Sequence, residues 1–123
     1  MSRNAKIGVK VQLPKLTCTG MYYEKMDLDV AGLDLFIGWN EEYRKLGKFP
    51  WTDNPANDRL RVRIDERTQV FDSKSVLIPG DFDVVNKSVT CIVELVSVYN
   101  FKEKSGLTLR VHQMKIHLSL IHI

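Results

Sequence analysis

The amino-acid sequence predicts a small, mainly β domain: a barrel or strongly curved sheet of about five to six strands, with one helix near residues 34–46. Three observations carry this. Apolar and polar residues alternate in several separate stretches, and only one stretch has helical spacing. A chain of 123 residues supports one hydrophobic core and is short for two.

The elements follow in order. Ala5–Leu13 alternates, with Ile7, Val9, Val11 and Leu13 on one face and Lys6, Gly8, Lys10 and Gln12 on the other, until Pro14 stops it. A weaker extended stretch covers Leu16–Tyr23. The helix follows: Asp34 is placed to cap it, Leu35, Phe36, Trp39, Tyr43 and Leu46 form its stripe, and Gly47 supplies a stop. Trp39 on that stripe is a core residue. Pro50 and Pro55 make Lys48–Asn57 a loop, which carries Phe49 and Trp51. Leu60, Val62 and Ile64 form the apolar face of the next strand, and Arg59, Arg61 and Arg63 its opposite face. Gln69–Ile78 reads as a strand broken by Pro79-Gly80. Ser88–Phe101, a loop at Lys102–Ser105 with Gly106, and Leu107–Ile116 make a long hairpin.

Composition is that of a folded protein, with 44% hydrophobic and 27% charged residues. No apolar run approaches the ~20 residues that span a bilayer, and no apolar leader follows Met1, so neither membrane nor secretion is expected. Cys18 and Cys91 lack metal-ligand spacing and read as buried thiols of an intracellular, reducing compartment. The net charge of +3 permits a polyanionic partner without demanding one. No internal repeat or linker divides residues 1–117, which read as one domain. Leu118-Ser-Leu-Ile-His-Ile123 matches the translation of a sequencing-library adapter (CTG TCT CTT ATA CAC ATC), and is set aside as a non-native tail. The native chain past His117, any acidic tail included, is then not visible.

Catalysis is not supported. The sequence holds no GxSxG, P-loop, HExxH or GxGxxG motif. His112 lies beside Arg110 in a strand, where a surface or groove residue is the simpler reading than a general base. Asp81 and Asp83 share a face of an extended segment and could hold Mg²⁺, but after Pro79-Gly80 a solvated turn explains them as well. No metal and no cofactor is expected.

Nucleic-acid binding has more behind it. In a strand, Arg59, Arg61 and Arg63 stand at ~7 Å intervals on one face, close to phosphate spacing, and guanidinium groups bind phosphate bidentately. The plain alternative is a solvated strand face. Lys6 and Lys10 of the first strand, Lys102 and Lys104 of the hairpin loop, and Arg110 and Lys115 of the last strand add positive charge. Tyr99 and Phe101 share a face beside the basic loop, Phe49 and Trp51 lead toward the arginine strand, and only one of the adjacent Tyr22 and Tyr23 can face a core. Singly, each ring could be core or rim packing. Interleaved with Lys and Arg, they form the pattern of a sequence-tolerant single-strand groove.

The run Val89–Phe101, the loop Lys102–Gly106 and the run Leu107–Ile116 resemble the closing hairpin of OB-fold single-stranded DNA-binding proteins from phages and large DNA viruses. That resemblance covers about 30 residues and implies an OB-like barrel, a non-enzymatic viral protein of DNA replication, and frequent homo-oligomers. It also implies an acidic C-terminal tail recruiting replication proteins. Tyr99 and Phe101 would stack bases, and Lys102, Lys104 and Arg110 would meet phosphates. The helix departs from the usual pattern, because it precedes the arginine strand instead of linking the third and fourth strands. The partner expected is single-stranded DNA, with RNA not separable from it. The main alternative is a small β-barrel coat or protein-interaction subunit using the same aromatics as contact anchors. A nuclease accessory using Asp81 and Asp83 is a third.

Overall fold

The computed structural model describes residues 5–78 and 84–117. Pro79-Gly80, the Asp81/Asp83 pair and the tail Leu118–Ile123 lie outside the described residues. Among the described residues there are seven strands: β1 (Ala5–Gln12), β2 (Leu16–Tyr22), β3 (Lys25–Asp29), β4 (Arg59–Arg63), β5 (Gln69–Phe71), β6 (Ser88–Phe101) and β7 (Lys104–Ile116). The helix α1 (Leu35–Tyr43) continues into a 3₁₀ turn, Arg44–Leu46, and lies between β3 and β4.

The sheet order is β1-β6-β2-β3-β4-β7-β5, and a further β6–β7 pairing closes a ring of β6, β2, β3, β4 and β7. Because β6 returns beside β2, four of these strands have Greek-key order. The mainly β, OB-like expectation thus holds, and the early helix remains as read.

Alternation explains the ring. β4 buries Leu60 and Val62 and exposes Arg59, Arg61 and Arg63. Val93, Leu95, Leu109 and Val111 of the hairpin meet Leu28, Leu60 and Val62 inside, all 2% exposed or less. Each such side chain contributes roughly 1.5–3 kcal/mol through burial. Phe36 of α1 is fully buried, and Trp39 packs edge-on against it at 5.0 Å.

β1 and β2 run in succession along one edge of β6. β1 pairs with Ile92–Val98 and β2 with Ser88 and Val89. Pro14 sits at the joint, where the Leu13 amide donates to the Cys91 carbonyl at 2.8 Å. On the far side, β4 meets β7 in parallel at one residue pair, Arg63 and Arg110.

Several local expectations are corrected. β3 adds to the strands read from sequence: over only five residues, fully buried Met26 and Leu28 alternate with Lys25, Asp27 and Asp29. Pairing with β2 and β4 on both sides makes it a strand. The expected strand Gln69–Ile78 ends at Phe71, where the Asp72 carboxylate accepts from the amides of Lys74 and Val76 and turns the chain back. Asp34 occupies the helix N-cap position, but its side chain makes no capping bond. Gly47 has φ −80° and is no left-handed stop. Its bare Cα is needed instead because a Cβ would lie 2.8 Å from the Ser105 Cβ. The hairpin loop is only Lys102-Glu103, both at positive φ (50° and 62°), as a type I′ turn requires.

Candidate nucleic-acid interface

A groove of about 620 Å³ opens where β4 and β7 diverge from their single pairing. One wall carries Arg59, Arg61 and Arg63 with Tyr22, Lys25 and Asp27 of the neighbouring hairpin, and the other carries Tyr99 and Thr108. Thr52–Asn57 close one end.

That end wall is pinned by buried amides. Asn40 of α1 donates to the Phe36 carbonyl (2.8 Å) and the Asn54 carbonyl (3.1 Å), and its Oδ1 accepts from Trp51 Nε1 at 2.9 Å. Asn54 in turn bonds both backbone groups of Arg61, accepting at 2.9 Å and donating at 2.8 Å. The strand face carrying the arginines is therefore fixed relative to the helix. At the other side, buried Asn100 accepts from the Lys48 amide (2.8 Å) and the Ser105 hydroxyl (2.5 Å).

Tyr99 reaches the groove through a register shift. Up to Leu95, the odd-numbered residues of β6 face the core. A β-bulge between Leu95 and Ser97 reverses this, so Val98 and Asn100 are buried and Tyr99 and Phe101 face outward. Tyr99 is half-buried across Gly106, and Phe101 is 61% exposed at the hairpin tip under the Lys102 ammonium, 5.3 Å from its ring centre.

The groove is net positive. Arg61 Nε donates to Asp27 Oδ1 at 3.0 Å and NH2 donates to Oδ2 at 3.4 Å. This hydrogen bond, and then the Asp27 charge, hold the Arg61 proton more tightly than usual. Among the described residues, Arg59, Arg63 and Lys25 pair with no carboxylate. Asp53, the other acidic residue on the lining, pairs with Arg44 at 3.5 Å.

Six of the expected contact residues, Arg110, Trp51, Lys10, Phe101, Lys102 and Lys104, lie outside the groove lining. The Arg110 side chain is only 11% exposed, with its nitrogens donating to Asp65 (3.2 Å) and Glu94 (3.3 Å), so the guanidinium ties three segments together. Asp65 is held below the usual carboxylate range: partial burial opposes its charge, but the Arg67 hydrogen bonds and the Arg110 charge outweigh it. Trp51 packs against the core with its indole N–H committed to Asn40. Lys10 is exposed on β1 in register with Glu94, two strands from the groove. Lys102, in the hairpin turn, and Lys104, just past it, lie beyond the groove next to Phe101.

Sequence reasoning missed Lys25, Asp27 and Asn54. Only the register of β3 against β4, Asp27 opposite Arg61, brings the first two to the groove. Neither Tyr22 nor Tyr23 enters the core. Tyr22 is 55% exposed and Tyr23 fully exposed at the β2–β3 turn. Cys18 and Cys91 are both buried, as expected, and the Cys18 thiol donates to the Gly20 carbonyl at 3.4 Å. Among the described residues, no cluster of His, Cys, Asp or Glu could hold a metal ion, and no helix is long and apolar enough to cross a membrane.

No protein-family model matches the chain, and no curated protein matches it. Among solved structures, it is similar to gp2.5, a single-stranded DNA binding protein encoded by bacteriophage T7. The match has a TM-score of 0.55 at 14% identity and covers 95% of this chain and 91% of that one. The resemblance to phage-type single-stranded DNA-binding proteins, confined in sequence to one hairpin, therefore extends at the level of fold over nearly the whole chain.

Proposed function

We propose that the protein binds single-stranded DNA without sequence preference, in the groove between β4 and the β6–β7 hairpin. The observation that carries this reading is the gathering of Arg59, Arg61 and Arg63 with Tyr99 around one groove. A coat or interaction subunit would have no need to collect its cations and rings there. Arg59, Arg63 and Lys25, which pair with no carboxylate among the described residues, supply the field that draws in and neutralises phosphates, releasing counterions. Tyr99 offers a face on which any base can stack, for ~1–3 kcal/mol. Phe101, Lys102 and Lys104 extend the same chemistry along the hairpin tip. No residue of the groove is arranged for catalysis, so the role is that of a non-enzymatic coat on replication intermediates. Homo-oligomers and replication proteins would be its protein partners. Buried Cys18 and Cys91 suit a compartment where thiols stay reduced. The fold likeness to the T7 protein supports this reading.

Fluorescence anisotropy with a labelled dT oligonucleotide tests it on the full chain. The expected result is tight binding at low salt that weakens steeply as salt rises, with comparable affinity for mixed-sequence strands. No binding at low salt would overturn it.

A further inference from the structure

The three arginines of β4 are not equivalent. Arg59 and Arg63 carry unpaired guanidinium groups among the described residues, whereas one edge of Arg61 is occupied by both oxygens of Asp27. Asp27 is buried, with its side chain 7% exposed, while Arg61 remains 56% exposed. The carboxylate therefore takes the Nε–Nη2 edge of Arg61, one of the two edges on which a phosphate would bind in its fork. Arg61 still presents its outer Nη1–Nη2 edge, where the adjacent Asp27 charge offsets its own, and the plane of its guanidinium, with its carbon 6.0 Å from the centre of the Tyr22 ring.

Tyr22, Lys25 and Arg61 also border a second hollow, of about 730 Å³, completed by Tyr23 and Glu24. Tyr23 there is fully exposed and held at φ 54°, a conformation more usual for glycine or asparagine. A large ring in such a place, with no core to fill, is offered to something outside the chain.

We propose that this hollow takes a nucleobase between Tyr22, Tyr23 and the face of Arg61, and that Arg61 acts as a stacking surface, leaving the phosphates to Arg59 and Arg63. Resting on the single-strand-binding reading above, the proposal divides the basic strand into two kinds of contact. Asp27 is then a positioning residue: it holds the guanidinium edge-on and keeps a phosphate out of the fork. Stacking on a guanidinium plane suits every base, which keeps the site sequence-tolerant.

The salt dependence of binding separates the two roles. Each phosphate contact to a single strand contributes about 0.7 to the slope of log K against log salt. Titrations of a dT oligonucleotide at several salt concentrations would compare the unaltered protein with Arg59→Ala, Arg63→Ala, Tyr22→Ala, Asp27→Asn and the pair Arg61→Ala with Asp27→Ala. That pair avoids leaving Asp27 buried without its partner. Arg59→Ala and Arg63→Ala should each flatten the slope by about 0.7. The Arg61/Asp27 pair and Tyr22→Ala should weaken binding about tenfold at every salt concentration, with the slope unchanged. Asp27→Asn should steepen the slope by about 0.7, because a freed fork accepts a phosphate. A flattened slope in the Arg61/Asp27 pair, or an unchanged slope in Asp27→Asn, would overturn the division of roles. Failure of the unaltered protein to bind at all would overturn the underlying reading, and this one with it.

Discussion

Tyr99 and Gly106 face each other across the β6–β7 hairpin, and a Cβ on residue 106 would lie 2.7 Å from the Tyr99 hydroxyl. The ring thus lies flat over a strand residue that must have no side chain. Gly106→Ala should push the ring off its seat and weaken dT binding about tenfold, as Tyr99→Ala should, while the melting temperature changes little because the ring can swing into solvent. Gly47→Ala makes the contrast. Its new Cβ would meet the buried, hydrogen-bonded Ser105, so unfolding in urea should show a loss of about 1–3 kcal/mol. Unchanged DNA binding by Gly106→Ala would show that Tyr99 does not stack bases.

Arg110 belongs to the framework. Arg110→Met should lower stability by about 1–3 kcal/mol, a value reduced by the partial exposure of Asp65 and Glu94, because Glu94 loses its cation and Asp65 keeps only Arg67. The salt slope of DNA binding should not move. Parallel denaturant and anisotropy titrations check both, and a slope flattened by about 0.7 would return Arg110 to the set of phosphate contacts.

Burial, with the neighbouring Cys18 adding to it, pushes the Cys91 thiol from its ordinary value of 9.0 up to about 12. An acid with a raised folded pKa stabilises fully below its unfolded value, and that contribution is lost as pH climbs toward the folded value. Between pH 9.0 and about 12 the unfolded chain ionises while the folded one does not, so this residue should remove about 1.4 kcal/mol per pH unit. Urea unfolding at a series of alkaline pH values should show a shallower decline for Cys91→Ala than for the unaltered protein. Equal declines would refute the assignment.

The turn at Lys102-Glu103 holds two L-residues in the left-handed region where Asn-Gly is favoured. Glu103→Gly should raise stability by about 1 kcal/mol, read as a higher midpoint in urea with an unchanged m-value. A lower midpoint would mean that this turn is not under backbone strain.

Local pattern was enough for part of this molecule. Period-two alternation placed Leu60 and Val62 inward and the three arginines outward, and helical spacing located residues 34–46, because a side chain's face on one element depends only on its neighbours in sequence. What lies beside an element depends on pairing between distant segments, and there local pattern failed. The short segment Lys25–Asp29 alternates around buried Met26 and Leu28, but only its pairing with β2 and β4 set the register that puts Asp27 against Arg61. Strict alternation continued from Val89 would have buried Tyr99 and Phe101; one extra residue near Leu95 turned both outward. Trp51 and Arg110 looked like groove residues, yet both were drawn into the framework. A half-buried indole N–H needs an acceptor, and a guanidinium between two carboxylates is held by both. Thus the chemistry available to the groove was set by the sequence of each strand, and the residues that share it were chosen by the long-range pairings that close the ring.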